Sequence, residues 1–339
     1  MRWRQGVAGC VVALALSACR AEPRKGAAPP PASGLVTVAV STSAVARPAA
    51  SAEAALDVRA PPATTPLPAT RSLGAGILAS WLDDQHALFV DALKNDVVSI
   101  DVRSGRRKVL SDFVGVSIAA GDAGWATADE SGLIHVYDSA GKPLWDQRAG
   151  SRGRALAVSA RGVVVAGGGV LRSLDSKGNV AWQQKRDVTD GVVSSDARWL
   201  AVRNFDDPVV VLRAADGAIE RTLDGVVCAM AFSHDGSKLA LAITSLDAKL
   251  RYPRGPTIVY DTSSWAPLLK IGGRGGCGGI AFSPDDSRVA VHGDELLSIW
   301  PLGPGDAVAW TLPTGVLLGW GRAGLLLWHS EQGLAFLAQ

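Results

Sequence analysis

The sequence predicts an all-β protein, a seven-bladed β-propeller of four-stranded antiparallel blades. Three observations carry that expectation: a degenerate repeat of roughly forty residues, strand-like alternation inside each copy, and no sustained helical periodicity. The repeat is clearest where Ala229-Met230-Ala231-Phe232-Ser233-His234-Asp235-Gly236 returns as Gly279-Ile280-Ala281-Phe282-Ser283-Pro284-Asp285-Asp286. Aligned on the residue before the first turn, the copies have anchors at Trp81, Ala120, Val158, Val193, Phe232, Phe282 and Trp320, spaced 39, 38, 35, 39, 50 and 38 residues apart. Leu88, Leu200, Leu239 and Val289 each fall seven residues after an anchor, so the register is ungapped in several blades. A single small sheet cannot bury both of its faces, so such copies must pack around an axis.

Within the copies, Val209-Val210-Val211-Leu212, Ile258-Val259-Tyr260 and Leu133 to Tyr137 are rich in β-branched and aromatic residues. Asp235-Gly236, Asp216-Gly217, Ser139 to Lys142 and Ser176 to Asn179 supply turn chemistry and read as loops between third and fourth strands. Only three strands follow Val316, in Val316 to Trp320, Leu325 to Trp328 and Leu334 to Leu337, so the seventh blade lacks its fourth. An open ring would leave unpaired edges, and a segment before Trp81 is expected to complete that blade. The candidates are Leu67 to Leu73, Leu56 to Arg59 and Leu35 to Val40.

The N-terminus carries Arg2 and Arg4, an apolar run from Val7 to Leu16, and then Leu16-Ser17-Ala18-Cys19. That run is too short to span a bilayer, and the pattern resembles a bacterial lipoprotein signal, which implies cleavage after residue 18 and lipidation of Cys19. An ordinary secretory signal cut after Ala18, or an uncleaved anchor, is the alternative. Each buried acyl methylene contributes about 0.8 kcal/mol, enough for several chains to hold the protein on a membrane. Arg20 stands where the inner-membrane retention signal has Asp, which favours the outer membrane. From Arg20 to Thr70 there are nine prolines and fifteen alanines in 51 residues and no Phe, Tyr or Trp. This composition has little to bury and predicts a disordered tether reaching on the order of 40 to 150 Å. The expected organisation is therefore signal 1–18, tether 19–70 and propeller 71–339.

Charge and motif content narrow the function classes. From Arg71 onward 27 Lys and Arg face 29 Asp and Glu, so no basic nucleic-acid surface is expected. The one basic run, Arg103-Ser104-Gly105-Arg106-Arg107-Lys108, reads as a solvated hairpin rather than an anion or lipid-headgroup site. No GxSxG elbow or phosphate loop occurs. The doubled carboxylates Asp83-Asp84, Asp206-Asp207 and Asp285-Asp286 all fall in loops, and glycine-rich Gly272 to Gly279 reads as a blade connection. The five histidines are scattered over different blades without metal-ligand spacing, so no catalytic, cofactor or metal residue is assigned. Cys228 and Cys277 precede consecutive anchors by four and five residues, and the sequence favours two separate thiols over a bridge.

One insertion, Ser245 to Pro256, lengthens the fifth repeat between its second and third strands. Its Arg251, Tyr252 and Arg254 are residue types enriched at interface hot spots, making this loop the candidate partner-binding element beside the reading as a tolerated surface insertion.

The phrases Ala-Phe-Ser-His-Asp-Gly-Ser-Lys-Leu-Ala and Ala-Phe-Ser-Pro-Asp-Asp-Ser-Arg-Val-Ala, with Tyr260-Asp261 and Ser298-Ile299-Trp300 following, resemble WD-repeat propeller units. The likeness is close in two blades and loose in five. The Gly-His pair of that family is absent, and its Trp-Asp endings are replaced by Ile100-Asp101, Tyr137-Asp138 and Leu174-Asp175. Gly141 to Trp145 and Gly178 to Trp182 resemble the Gly-x-x-x-Trp repeats of pyrroloquinoline-quinone-type propellers, a class that includes a non-enzymatic lipoprotein of outer-membrane barrel assembly. This resemblance implies Trp145 and Trp182 as blade-packing anchors and does not imply quinone binding. The expected function is a monomeric, exported, membrane-anchored platform that binds an envelope protein. The alternative is a hydrolase or lactonase whose dispersed site sits at one end of the central channel.

Overall fold

The computed structural model describes residues 58–338, apart from 61, 75, 84, 92, 95, 113–114, 116, 122, 206, 245–254, 276–277, 294, 313–314 and 330–332. The described residues form strands and turns without a helix, and so include no helix long and apolar enough to cross a membrane. Cys19 and the loop residues Arg251, Tyr252 and Arg254 lie outside the described residues.

Seven antiparallel units follow one another along the chain. Blade 1 comprises Gly76–Trp81, His86–Asp91, Asp96–Asp101 and Arg107–Asp112; blade 2 begins with Ser117–Gly121 and blade 3 with Arg154–Ser159. Blades 4 and 5 share one long strand, Ile219–Phe232, whose first half pairs with Pro208–Arg213 and whose second half pairs with Lys238–Thr244. Blade 6 starts at Ile280–Phe282 and blade 7 at Gly315–Gly321. Each inner strand touches the next around the ring, and Gly315–Gly321 closes against Gly76–Trp81. All seven predicted anchors lie on these inner strands and line one central channel.

The core explains why the units need each other. Seven apolar clusters occupy the seven seams, each drawing residues from two neighbouring blades. Leu88, Leu200, Leu239 and Val289, the positions seven after an anchor, are fully buried in them. Along the outer strands, Trp145 lies on the third-to-fourth turn of blade 3, donating from Nε1 to the Ser176 carbonyl at 3.0 Å, and Trp182 does the same to Ala214 of blade 4 at 2.8 Å. Each indole rests on a glycine with positive φ, Gly178 at 84° and Gly217 at 73°. A Cβ there would meet the ring at 3.0 and 2.8 Å. The blade-packing role implied by the Gly-x-x-x-Trp resemblance is thus met at both tryptophans.

Ring closure uses the N-terminal segment. Arg71–Gly74 pairs antiparallel with Gly333–Ala338 and supplies the missing strand of blade 7, within the first of the three candidate segments. Across the same seam, the Arg71 guanidinium donates to the carbonyls of Val102, Arg103 and Ser104 in blade 1, and Arg107 of blade 1 donates to the Leu73 carbonyl of the closing strand. The tether expectation is corrected just upstream. Val58–Arg59 pairs parallel with Lys270 and Ile271 as a fifth strand on blade 5, and Thr64–Pro66 pairs parallel with Ala309 to Thr311 on blade 6. Outer edges present unpaired backbone groups, and this proline-rich segment satisfies some of them without needing a core of its own.

Two smaller expectations also change. Asp235-Gly236 joins the first and second strands of blade 5, not the third and fourth. Cys228 is disulfide-bonded, with its partner outside the described residues, whereas two free thiols were expected. Counting alternation failed there because Cys228 sits at a register shift between Val227 and Ala229, which re-aims its side chain.

Leu239→Ala empties a fully buried seam position and is expected to cost about 3 kcal/mol in chemical denaturation. Arg71→Ala removes only exposed charge-assisted contacts and is expected to cost about 1 kcal/mol. An equal loss for both would contradict this ranking of seam over clasp.

Candidate functional site: the channel and its two faces

Antiparallel order places the first-to-second and third-to-fourth turns of every blade on one face, the turn face. The second-to-third turns and the blade connections lie on the opposite, connection face. Backbone bonds confirm the pairing of turns: Val102 N–H donates to Gln85, Ala214 to Arg198, Thr262 to Ser237 and Leu302 to Ser287. The insertion with Arg251, Tyr252 and Arg254 joins Lys238–Thr244 to Gly255–Asp261, so its anchoring strand ends are on the connection face.

The channel holds about 630 Å³. Trp81, Phe232, Phe282, Trp320, Met230 and Ile280 line it beside serines, His234 and Asp190, so that the wall mixes apolar and polar surface about equally. Asp190 is the carboxylate on the lining, and it is committed to Arg203 at 3.1 Å, whose other nitrogens donate to the Val227 and Cys228 carbonyls. Its charge therefore helps to order a seam.

At the turn-face mouth, blades 4, 5 and 6 repeat one device. Ser194, Ser233 and Ser283 each donate through Oγ to the Asp two residues on, at 2.6, 2.7 and 2.6 Å. Each hydroxyl also accepts the N–H five residues on, from Trp199, Lys238 and Arg288. The hydroxyls of Ser283 and Ser287 and the Ser287 N–H hold the Asp285 carboxyl down at about 2. Burial pushes the Asp235 carboxyl up, but bonds from Ser233 and Ser237 and the Lys238 charge outweigh it and leave the carboxyl below its ordinary range. These carboxylates close their turns; of the doubled pair Asp285-Asp286, Asp285 does so.

The three turns are also linked from blade to blade. Asp286 accepts the His234 and Asp235 N–H groups at 2.7 and 2.8 Å and the His234 Nδ1 contact at 3.2 Å, while the Ser195 hydroxyl donates to the His234 carbonyl. A serine, a histidine and an aspartate thus meet at the channel mouth, a set that sequence reasoning missed because the three belong to different blades. Their wiring is that of a brace: the serine proton goes to a main-chain oxygen and not to the imidazole, whereas a nucleophile needs the ring as base. Away from the mouth, buried His292 bonds through Nε2 to the Leu312 carbonyl at 3.2 Å, and burial holds its imidazole below the usual histidine range. No group of three His, Cys, Asp or Glu suited to a metal ion occurs among the described residues.

Comparison with known proteins agrees with this architecture. The family model described as outer membrane protein assembly factor BamB matches residues 94–239. Similar solved structures include the WD40 domain of Pan2 from Neurospora crassa, 14% identical, covering 77% of this chain and 88% of that one, with a TM-score of 0.61. A chain of the mitotic checkpoint complex is 17% identical over 84% of this chain and 98% of that one, TM-score 0.63. The Cps50 (Swd1) β-propeller domain of Myceliophteria thermophila is 15% identical over 80% and 98%, TM-score 0.59. No curated protein matches. The chain is a β-propeller, similar in fold to WD40 propellers.

Because the folded-state carboxyl of Asp285 lies at about 2, its bonds stabilise the protein above the ordinary carboxylate value near 4 and are lost as pH falls from there toward 2. Asp285→Asn is therefore expected to lower the melting temperature at pH 7 and to converge with the parent by about pH 2. A constant difference across that range would show that the carboxylate charge is not what closes the turn.

Proposed function

We propose that this chain is an exported propeller, lipid-anchored through Cys19 to the outer membrane, acting as a non-catalytic protein-interaction platform in the bacterial cell envelope. The observation that carries the non-catalytic part is the channel: Asp190, Ser194, Ser233 and His234 on its lining bond to their own seams and turns. The match of residues 94–239 to the BamB family model supports an envelope role, since that family is described by outer-membrane assembly. The signal-like Leu16-Ser17-Ala18-Cys19 supports the anchor. Arg251, Tyr252 and Arg254 remain the proposed partner-binding residues, because their loop is the one long departure from the repeat and joins strands at the connection face. The rival reading, a hydrolase or lactonase, draws on the meeting of Ser195, His234 and Asp286 at the channel mouth.

In a host that exports the full chain, labelled fatty acid should enter the protein and be lost in Cys19→Ser, which should leave the membrane fraction. In-envelope crosslinking should capture a defined protein, and Arg251→Ala with Tyr252→Ala and Arg254→Ala should weaken that capture. An unlabelled chain would remove the anchor, and an unchanged capture profile would remove the loop. Ester or lactone hydrolysis abolished by Ser195→Ala would replace the platform with the enzyme.

A further inference from the structure

The outer rim of the turn face carries a pattern that the platform reading leaves unused. On six successive blades the outer strand presents one exposed apolar residue near its turn-face end: Val109, Leu144, Val180, Ile219, Leu268 and Val308, between 45% and 57% exposed. What stands beside them changes around the ring. On blades 1 to 3 the adjoining turns bring Arg103, Arg106, Arg107, Lys108, Lys142 and Lys177 against Asp101, Asp138 and Asp175. On blades 4 to 6 the corresponding turns bring Arg213 against Asp216, Asp261 and Asp306. One half of the rim therefore carries three excess positive charges, all on the blade-1 turn, with one exposed lysine against one aspartate on blades 2 and 3, and the other half is acidic by two.

On both halves the turn carboxylates are engaged by their own backbone, as Asp261 is by the Ser263 and Ser264 N–H groups. Asp101, Asp138 and Asp175 are turned inward, each accepting two N–H groups of its own turn at 2.8 to 2.9 Å. Arg103, Arg106, Lys142 and Lys177 are exposed. Arg107 is held inward by the closing strand, and Lys108 reaches from blade 1 to the Ala140 carbonyl of blade 2 at 3.0 Å, which links the two turns into one arc.

We propose that this arc, blades 1 to 3 of the turn-face rim, seats on an anionic phospholipid surface. Cations at the phosphate level with single apolar side chains dipping below them is the arrangement that interfacial binding requires, and each cation near such a surface contributes on the order of 1 kcal/mol. An acidic protein would use the cations but would leave three evenly spaced apolar residues without a role. The basic run that reads from sequence as a solvated hairpin supplies the net charge here, and Lys142 and Lys177 set two further exposed cations beside it on blades 2 and 3.

The proposal takes its biological setting from the anchored reading above, so its test removes the anchor. The full chain bearing Cys19→Ser is sedimented with phosphatidylcholine vesicles, with and without phosphatidylglycerol. Binding should be at least about tenfold stronger to the anionic vesicles and should fall as salt rises. Arg103→Glu, Arg106→Glu, Lys142→Glu and Lys177→Glu combined should abolish the preference while thermal melting still shows a folded chain. If that variant fails to fold, the same positions changed to Gln should reduce it in graded fashion. Leu144→Ser with Val180→Ser should weaken vesicle binding and leave binding to polyglutamate unchanged. No preference for anionic vesicles, or a preference that survives charge reversal, would overturn the proposal. Strong polyglutamate binding without vesicle binding would also overturn it and assign the arc to an acidic protein. Fatty-acid labelling reports on the anchor separately, so the two readings fail independently.

Discussion

The structure depends on the fact that no blade owns a core. Every apolar cluster lies between two blades, so each sheet is stabilised by a neighbour and the neighbour by the next. Such a chain of mutual dependence has no stable end. It must either stop at capped faces or return on itself, and here Arg71–Gly74 returns it. The reciprocal donation of Arg71 to blade 1 and of Arg107 to the closing strand adds long-range polar contacts to the packing of the last seam.

This dependence also fixes what the channel can be. Inner strands approach closely enough for the seams to pack while their channel-facing residues line an open channel of about 630 Å³. Polar groups that reach the lining are drawn into the seams, as Asp190 is by Arg203 and His234 by Asp286. Loops and rim, which bear no such duty, are left to make contacts with other molecules.

Much of the fold was legible because propeller blades write their geometry locally. The seven anchors, the fully buried position seven residues on, and the tryptophans of Gly-x-x-x-Trp all describe contacts within a blade or with its immediate successor. What sequence could not show was whatever is assembled across blades. The meeting of Ser195, His234 and Asp286 involves residues 39 and 52 positions apart. The charge arc needs three separate turns placed side by side. The fifth strands at Val58–Arg59 and Thr64–Pro66 were hidden for another reason: an edge strand that pairs on one side only needs neither alternation nor bulk, so its composition is that of a linker.

Those two short strands have a mechanical consequence. Tension on the N-terminal end would not reach the ring-closing strand directly. It would first have to peel the two-residue strand from blade 5 and then the three-residue strand from blade 6, each held by few bonds and able to reform after slackening. The wrap is thus a sacrificial fuse in series with the closure, absorbing a tug before the seam between blades 7 and 1 is loaded.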